Sequence, residues 1–203
     1  MKKYLAILAA LLMVTLQAKA AESAASILQQ AAAKVTKAKS LVADYTISAD
    51  GHSQNGILTI SGERFTLSSP QMVSWYDGKT QWTYSSHIGE VNITEPTPEE
   101  LQQVNPFAII RTFSKNYKAT LEKSAAGTKQ LRLTAISAKS DIKTVVLTLD
   151  ATTLYPTKIQ LVMANRQQVN IKINKLTEGP TLPMSHFRFD PKKYPDVPVV
   201  DLR

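Results

Sequence analysis

The feature that most constrains this chain is a long run of short segments in which apolar and polar residues alternate. Alternation with a period of two is typical of half-buried β-strands, and the Gly, Asp, Asn, Ser and Pro residues between the segments predict turns. The predicted strands span residues 42–49, 57–61, 64–68, 72–76, 80–84, 90–94, 117–122, 130–135, 144–150, 156–163 and 168–176. About eleven short strands joined mainly by tight turns indicate an antiparallel sheet.

Several of the predicted strands carry aliphatic side chains on one side and polar side chains on the other. The aliphatic sets are Leu58 and Ile60; Phe65 and Leu67; Leu147 and Leu149; Ile159, Leu161 and Met163; and Val169, Ile171 and Ile173. A sheet with one apolar face must bury that face against something. Either the sheet folds against itself, or it curves around a cavity.

Only a few short helices are predicted to cover the apolar face. The apolar spacing in residues 23–40 predicts one alanine-rich amphipathic helix. Thr97 followed by Pro98 predicts the start of a second helix, and a further short helix is predicted from Pro106 through Phe113. The predicted fold class is therefore mainly β with short helices (α+β).

The stretch WYDGKTQWTY, residues 75–84, contains the Gly-Lys-Thr triplet that ends a phosphate-binding P-loop. A P-loop needs a further glycine five positions before its Gly-Lys pair, so that successive backbone N–H groups surround the phosphates. Val73 stands at that position, and the stretch is therefore not interpreted as a nucleotide site.

The alternative interpretation is a two-residue hairpin turn at Asp77-Gly78. In such a hairpin Trp75 faces Thr80 and Val73 faces Trp82. One face of the hairpin is then large, apolar and aromatic.

The first twenty residues are predicted to be a cleavable signal peptide. Two lysines precede an apolar run, and Ala18-Lys19-Ala20 presents small residues where a signal peptidase cleaves. The mature domain is predicted to comprise residues 21–203 and to be exported to the periplasm. Because the chain has no cysteine, neither a disulfide nor an acylated lipoprotein N-terminus is expected.

At this point the chain resembles the periplasmic outer-membrane lipoprotein carriers, the LolA family. The resemblance rests on Arg64-Phe65, Ser69-Pro70, the series Val73-Ser74-Trp75-Tyr76-Asp77-Gly78-Lys79-Thr80, Trp82-Thr83-Tyr84, and the closing Phe187-Arg188-Phe189 and Val199-Val200-Asp201. It implies an unclosed antiparallel half-barrel of about eleven strands with a helical lid over an apolar cavity.

The resemblance also implies a function. Family members take acylated lipoproteins from an inner-membrane ATP-driven transporter, cross the periplasm and pass the cargo to an outer-membrane receptor. That receptor is itself usually a lipoprotein, so the absence of cysteine favours the carrier. No cofactor is implied, and a monomer is expected for a shuttle that docks at two membranes.

Residues are assigned to the cavity by combining the resemblance with the alternation. The predicted acyl-binding residues are Leu58, Ile60, Phe65, Val73, Trp75, Trp82, Leu147, Leu149, Ile159, Leu161 and Met163. The predicted lid residues are Phe107, Ile110 and Phe113.

The sequence departs from the family pattern at one position. The family often places an Arg-Pro pair just before the aromatic residue that Phe65 matches, and that arginine helps to hold the lid closed. Ser61-Gly62 stand there instead. Arg64 adjoins Phe65 and, by alternation, is predicted to point to the opposite face.

Other chemistries are not indicated by the sequence. His52, His87 and His186 lack the spacing of metal ligands, and there is neither a cysteine nucleophile nor a Gly-x-Ser-x-Gly motif, so no enzyme and no metal site are predicted. The excess of 24 Lys and Arg over 16 Asp and Glu is spread along the chain, which disfavours nucleic-acid binding. The alternative function is a periplasmic sensor or scaffold domain of the same fold, binding a protein partner or another lipid.

Overall fold

The computed structural model describes residues 22–105 and 107–203; the predicted signal peptide lies outside them. The described chain contains three α-helices: α1, Ala24–Lys37; α2, Pro98–Val104; and α3, Phe107–Asn116. Its strands are β1, Ser40–Ala49; β2, His52–Ser61; β3, Arg64–Ser68; β4, Met72–Tyr76; β5, Gln81–Ser85; β6, Glu90–Thr94; β7, Tyr117–Glu122; β8, Thr128–Ala135; β9, Ile142–Asp150; β10, Pro156–Met163; β11, Gln168–Gly179; and β12, Val199–Asp201. Two 3₁₀ helices, Met184–Phe187 and Pro191–Lys193, precede β12.

The twelve described strands form one unclosed sheet in the order β12-β6-β5-β4-β3-β2-β1-β11-β10-β9-β8-β7. Strands β1 to β6 form one antiparallel series and β7 to β11 form another, and the two series meet where β1 pairs with β11. The segment that contains α2 and α3 connects β6 near one edge to β7 at the other. The predicted fold class, a mainly β half-barrel with short helices, is confirmed.

Most strands lie where the alternation placed them, and β3, β4, β6, β7 and β10 have the predicted bounds. The prediction of eleven strands omits β12, which pairs parallel with β6. The segment between β11 and β12 has a 3₁₀ helix at Met184–Phe187. Prolines throughout this segment limit backbone hydrogen bonding, so its short elements carry no clear alternation.

Helix α1 begins where Ser23, as N-cap, accepts a hydrogen bond from the Ser26 N–H at 3.1 Å. It ends at Lys37, three residues before the predicted limit, because Ser40 already belongs to β1 and its hydroxyl donates to the Pro180 carbonyl at 2.7 Å. The buried stripe of α1 consists of Ala24, Ile27, Leu28, Ala31 and Val35. The helix therefore covers the sheet with small and medium-sized side chains.

One glycine in β2 is required by the close approach of a ring. A Cβ atom at Gly56 would lie 2.4 Å from the Tyr45 hydroxyl oxygen, which is far inside van der Waals contact. Tyr45 is buried among the core residues, and burial raises the pKa of its hydroxyl. Gly56 thus lets β1 place an aromatic ring across β2.

None of the described helices is long and apolar enough to cross a membrane.

Candidate functional site

The inner face of the half-barrel is a continuous wall of leucine and isoleucine side chains. Neighbouring strands bring these residues directly opposite one another: Ile60 pairs with Phe65, and Leu147 lies between Leu131 and Ile159. Each of these five side chains is at most 2% exposed. Such a surface offers an acyl chain many dispersion contacts.

Most of the predicted lining residues belong to this wall. The core contains Leu58, Ile60, Phe65, Leu147, Leu149, Ile159 and Leu161, while Met163 is partly buried and packs against the core. The same alternation would also have identified Leu131 and Leu133 of β8, which are fully buried but were not selected as lining residues.

Helices α1 and α3 cover the wall in this structure. The predicted lid residues Phe107, Ile110 and Phe113 all lie on α3 and are at most 5% exposed. They belong to the same core cluster as the wall and as the buried stripe of α1. The wall is thus covered by helices instead of by a second sheet. Access of a ligand to the wall therefore depends on the position of α3.

The lid, which consists of α2 and α3, has polar contacts at the start of each helix. At the start of α2, Thr97 and Glu100 form a capping box, and hydrogen bonds from the Thr97 backbone and hydroxyl lower the pKa of Glu100. At the start of α3, the Asn105 side chain accepts from the Phe107 N–H at 3.1 Å. These contacts explain why two short helices form in a chain that is otherwise mainly strand.

A buried hydrogen bond joins the lid to the sheet. The Tyr117 hydroxyl on β7 donates to the Gln102 side-chain oxygen on α2 at 3.3 Å, and both residues are less than 5% exposed. Burial raises the pKa of Tyr117.

A cleft of about 360 Å³ between Glu99, Lys139 and Ile142 opens beside the bond between Tyr117 and Gln102. Sequence reasoning missed Gln102, Asn105 and Tyr117, because a buried polar side chain leaves no mark on a hydrophobic pattern.

Three predicted lining residues do not lie on the inner face. Phe65 pairs with Tyr76, so the next pair, Thr66 with Trp75, points to the opposite face. Trp82 pairs with Trp75 and therefore shares that outer face, as does Val73. The prediction that Val73, Trp75 and Trp82 line one cavity with Phe65 is therefore wrong, because the two sets alternate along the same strands.

The outer aromatic face is covered by the C-terminal segment. Trp75 contacts Phe189 and Tyr194 at ring-centroid distances of 5.6 and 5.7 Å, and Tyr84 contacts Tyr194 at 5.1 Å. Phe187 is completely buried nearby and stacks beneath the Arg64 guanidinium, 5.0 Å from the ring centroid. The prediction that Arg64 points away from the inner face is confirmed. Arg64 contacts the C-terminal segment and not the lid.

The Asp77-Gly78-Lys79-Thr80 stretch is a four-residue turn between β4 and β5. Tyr76 pairs with Gln81, so the hairpin interpretation is confirmed while the predicted two-residue register is wrong. The Asp77 carboxylate accepts from the Lys79 and Thr80 N–H groups at 3.1 and 3.0 Å, and from Arg188 at 2.9 Å. Burial raises the pKa of Asp77, but these hydrogen bonds and the Arg188 charge outweigh it, so the pKa is lowered.

A protein-family model identifies the family of this chain. The family model described as outer membrane lipoprotein carrier protein LolA matches residues 14–166, about three quarters of the chain. The chain belongs to the LolA family. The matched part includes the helical lid and the strands from β1 to β10, which carry most of the apolar wall.

Solved structures align with this fold at low sequence identity. An uncharacterized conserved protein from Thermus thermophilus aligns with a TM-score of 0.61 at 11% identity, over 88% of this chain and 98% of its own. A DUF1329 family protein from Desulfovibrio piger aligns with a TM-score of 0.50 at 10% identity, over 82% and 98%. A LolA superfamily protein from Nitrosomonas europaea has a TM-score of 0.47 at 15% identity, over 83% and 98%. No curated protein sequence matches the chain.

In the part of the chain that the structure describes, the LolA-type wall and lid hold no group of metal ligands. Among residues 22–105 and 107–203, no three His, Asp or Glu side chains are grouped to hold a metal ion. His52 starts β2, His87 lies in the turn before β6, and His186 lies in a 3₁₀ helix. The inner face presents mainly hydrocarbon side chains.

Proposed function

We propose that this protein carries lipoproteins across the periplasm by holding their acyl chains between the inner apolar wall and the lid. The observation that carries the proposal is that α1 and α3 pack their buried side chains into the same core cluster as the leucine-rich wall. Displacing α3 would open the wall without breaking a single strand pair. Membership of the LolA family supports the same role.

The energetics favour exchange of the lid for an acyl chain. Uncovering the buried apolar side chains of α3 costs about 1.5–3 kcal/mol for each, or about 6–12 kcal/mol for four of them. Those four are Phe107, Ile109, Ile110 and Phe113. One acyl chain of about fourteen methylenes gains about 11 kcal/mol on leaving water. A single chain therefore offsets the lid, and a lipoprotein with three chains exceeds it.

Loading from a membrane needs an external source of energy. An acyl chain in a bilayer is already out of water, so the wall offers it little further gain. The Asp77–Thr80 turn is occupied by its own hydrogen bonds and does not supply a nucleotide site. We therefore assign loading to an inner-membrane ATP-driven transporter and unloading to an outer-membrane acceptor of higher affinity. The predicted signal peptide, residues 1–20, supports a periplasmic location for the carrier.

The test is binding of a synthetic triacylated lipopeptide with a fluorophore on its peptide, followed by anisotropy. Met163→Glu places a carboxylate at the edge of the wall, where Met163 is only partly buried and the variant can fold. We expect at least ten-fold weaker binding, because a charge would have to be desolvated beside hydrocarbon. Val162→Glu is the matched control, since the partly exposed Val162 lies outside the core cluster.

Two outcomes would contradict the proposal. One is that wild-type protein leaves the lipopeptide free. The other is that Met163→Glu and Val162→Glu bind it equally well while both melt cooperatively by circular dichroism.

A second candidate function rests on the open edge of the sheet. Strand β7 pairs only with β8 among the described strands, and Leu121 on it is 52% exposed. An unpaired edge can accept an extended segment of a partner protein. Native mass spectrometry of protein purified from the periplasm separates the two functions. Bound lipid or acylated protein supports the carrier, whereas an empty chain with a stable unacylated protein partner supports the scaffold.

A further inference from the structure

A cleft of about 800 Å³ lies on the outer face, on the side of the sheet opposite the apolar wall. Strands β3 and β4 form its floor with Thr66, Ser68, Val73 and Trp75. The C-terminal segment, residues 183–194, forms its other side. Its volume lies within the roughly 300–1,000 Å³ that is usual for small-molecule sites.

The cleft has a rigid aromatic side. Trp75, Phe189 and Tyr194 contact one another with centroid distances between 5.4 and 5.7 Å. All three rings are only half-buried, so part of their surface faces the cleft. Buried Phe187 and Val91, which lie outside the main core, anchor the neighbouring chain on this face. The rings are therefore held in place before any ligand binds.

Hydrogen-bonding groups of both kinds surround the rings. Hydroxyls come from Thr66, Ser68 and Ser185, with the His186 imidazole 3.5 Å from the Thr66 hydroxyl. Lys193 donates only, and the Asp190 carboxylate accepts only. The lining thus combines donors and acceptors with an apolar aromatic surface.

The charges around the cleft balance. Arg188 is paired with Asp77, and Asp190 and Lys193 both line the cleft. A site for phosphate or another anion would present an excess of cations. The ligand that fits has a flat apolar face for the rings and an edge of groups that both donate and accept.

We propose that this cleft binds a neutral carbohydrate ring, such as a sugar unit of a glycan or glycolipid. The C–H face of the ring would stack on Trp75 and Tyr194, and its hydroxyls would bond to His186, Lys193 and Asp190. Sugar hydroxyls are donors and acceptors at once, which matches the mixed lining. This site is separate from the acyl wall, and it does not depend on the carrier function.

Tryptophan fluorescence reports on the site directly, because the chain has two tryptophans and both lie on the outer face. In a Trp82→Phe background, Trp75 is the single reporter. The probes are maltotriose, cellotriose and triacetylchitotriose, with glucose phosphate and a proline hexapeptide as competing ligand classes. We expect at least one neutral trisaccharide to shift the emission with a Kd of about 0.1–1 mM.

Variants locate the binding. Lys193→Ala and His186→Ala each remove an exposed polar group of the cleft, and each is expected to weaken sugar binding at least five-fold. Lys192→Ala is the matched control, because its side chain does not line the cleft. The proposal is overturned if no trisaccharide shifts the emission up to about 10 mM. It is equally overturned if only glucose phosphate or the peptide binds, or if sugar binding survives both cleft substitutions.

Discussion

Replacing Tyr117 by Phe tests whether the buried hydrogen bond to Gln102 holds the lid closed. The substitution removes only the hydroxyl, which donates to the Gln102 side-chain oxygen at 3.3 Å. Both residues are less than 5% exposed, so the bond is a buried one while the lid stays closed. The ring of Tyr117 remains and continues to fill its place in the core.

The size of the effect follows from the hydrogen bond that is lost. A typical intramolecular hydrogen bond contributes about 0.5–1.5 kcal/mol of net stability. The bond between Tyr117 and Gln102 needs α2 to lie against β7, so its loss destabilises the closed lid relative to the open lid. The open population is expected to rise about 2-fold to 13-fold.

Native-state hydrogen exchange measures this change by segment. In Tyr117→Phe we expect faster exchange of amides in α2 and α3 and unchanged exchange where β1 pairs with β11. Tyr155→Phe is the matched control, since its hydroxyl bonds to Glu178 at 2.6 Å, outside the lid. The reasoning is refuted if α2 and α3 exchange as in the wild type, or if all strands accelerate together.

Three further predictions concern the outer face and the sheet. Arg64→Ala is expected to speed exchange in residues 184–189 and to leave the lid unchanged, because Arg64 stacks on Phe187; faster lid exchange would contradict this. Hydrogen bonds from Thr80 and Lys79, together with Arg188, lower the pKa of Asp77, and only the Arg188 contribution depends on the docked C-terminal segment; that segment is therefore expected to stay docked while Asp77 is ionised and to loosen as the pH falls through the lowered value, by limited proteolysis, and Asp77→Asn should abolish this pH dependence. Burial and the Glu178 carboxylate raise the pKa of Tyr155 to about 12. The hydroxyl's contribution to the free energy of unfolding is therefore complete below pH 10.0 and is lost as the pH rises through about 12. Denaturant melts of Tyr155→Phe should lack this loss.

The alternation in the sequence was sufficient to locate strands because one face of each strand is buried. Strand β3 shows why: Phe65 and Leu67 point inward, while Arg64, Thr66 and Ser68 are more exposed. The pairing of β1 with β11 could not be predicted from this alternation, because the pattern within a strand does not show which distant strand lies beside that strand. The family resemblance supplied the half-barrel, and residue spacing alone did not.

The division of the sheet into two apolar faces was missed for a physical reason. Large aromatic side chains at Trp75 and Trp82 look like core residues in a sequence, and hydrophobicity does not say which face they join. Counting along β3 and β4 settles the question only when the pairing of Phe65 with Tyr76 is known. The C-terminal segment that covers this outer face is rich in proline and has no periodic pattern.

The most direct test of the carrier proposal is to find where an acyl chain lies in the complex. Methyl-labelled protein bound to a triacylated lipopeptide should show intermolecular nuclear Overhauser effects from acyl methylenes to Leu147, Ile159 and Ile110. Contacts confined to the outer face around Val73, or none to any methyl group of the inner wall, would contradict it.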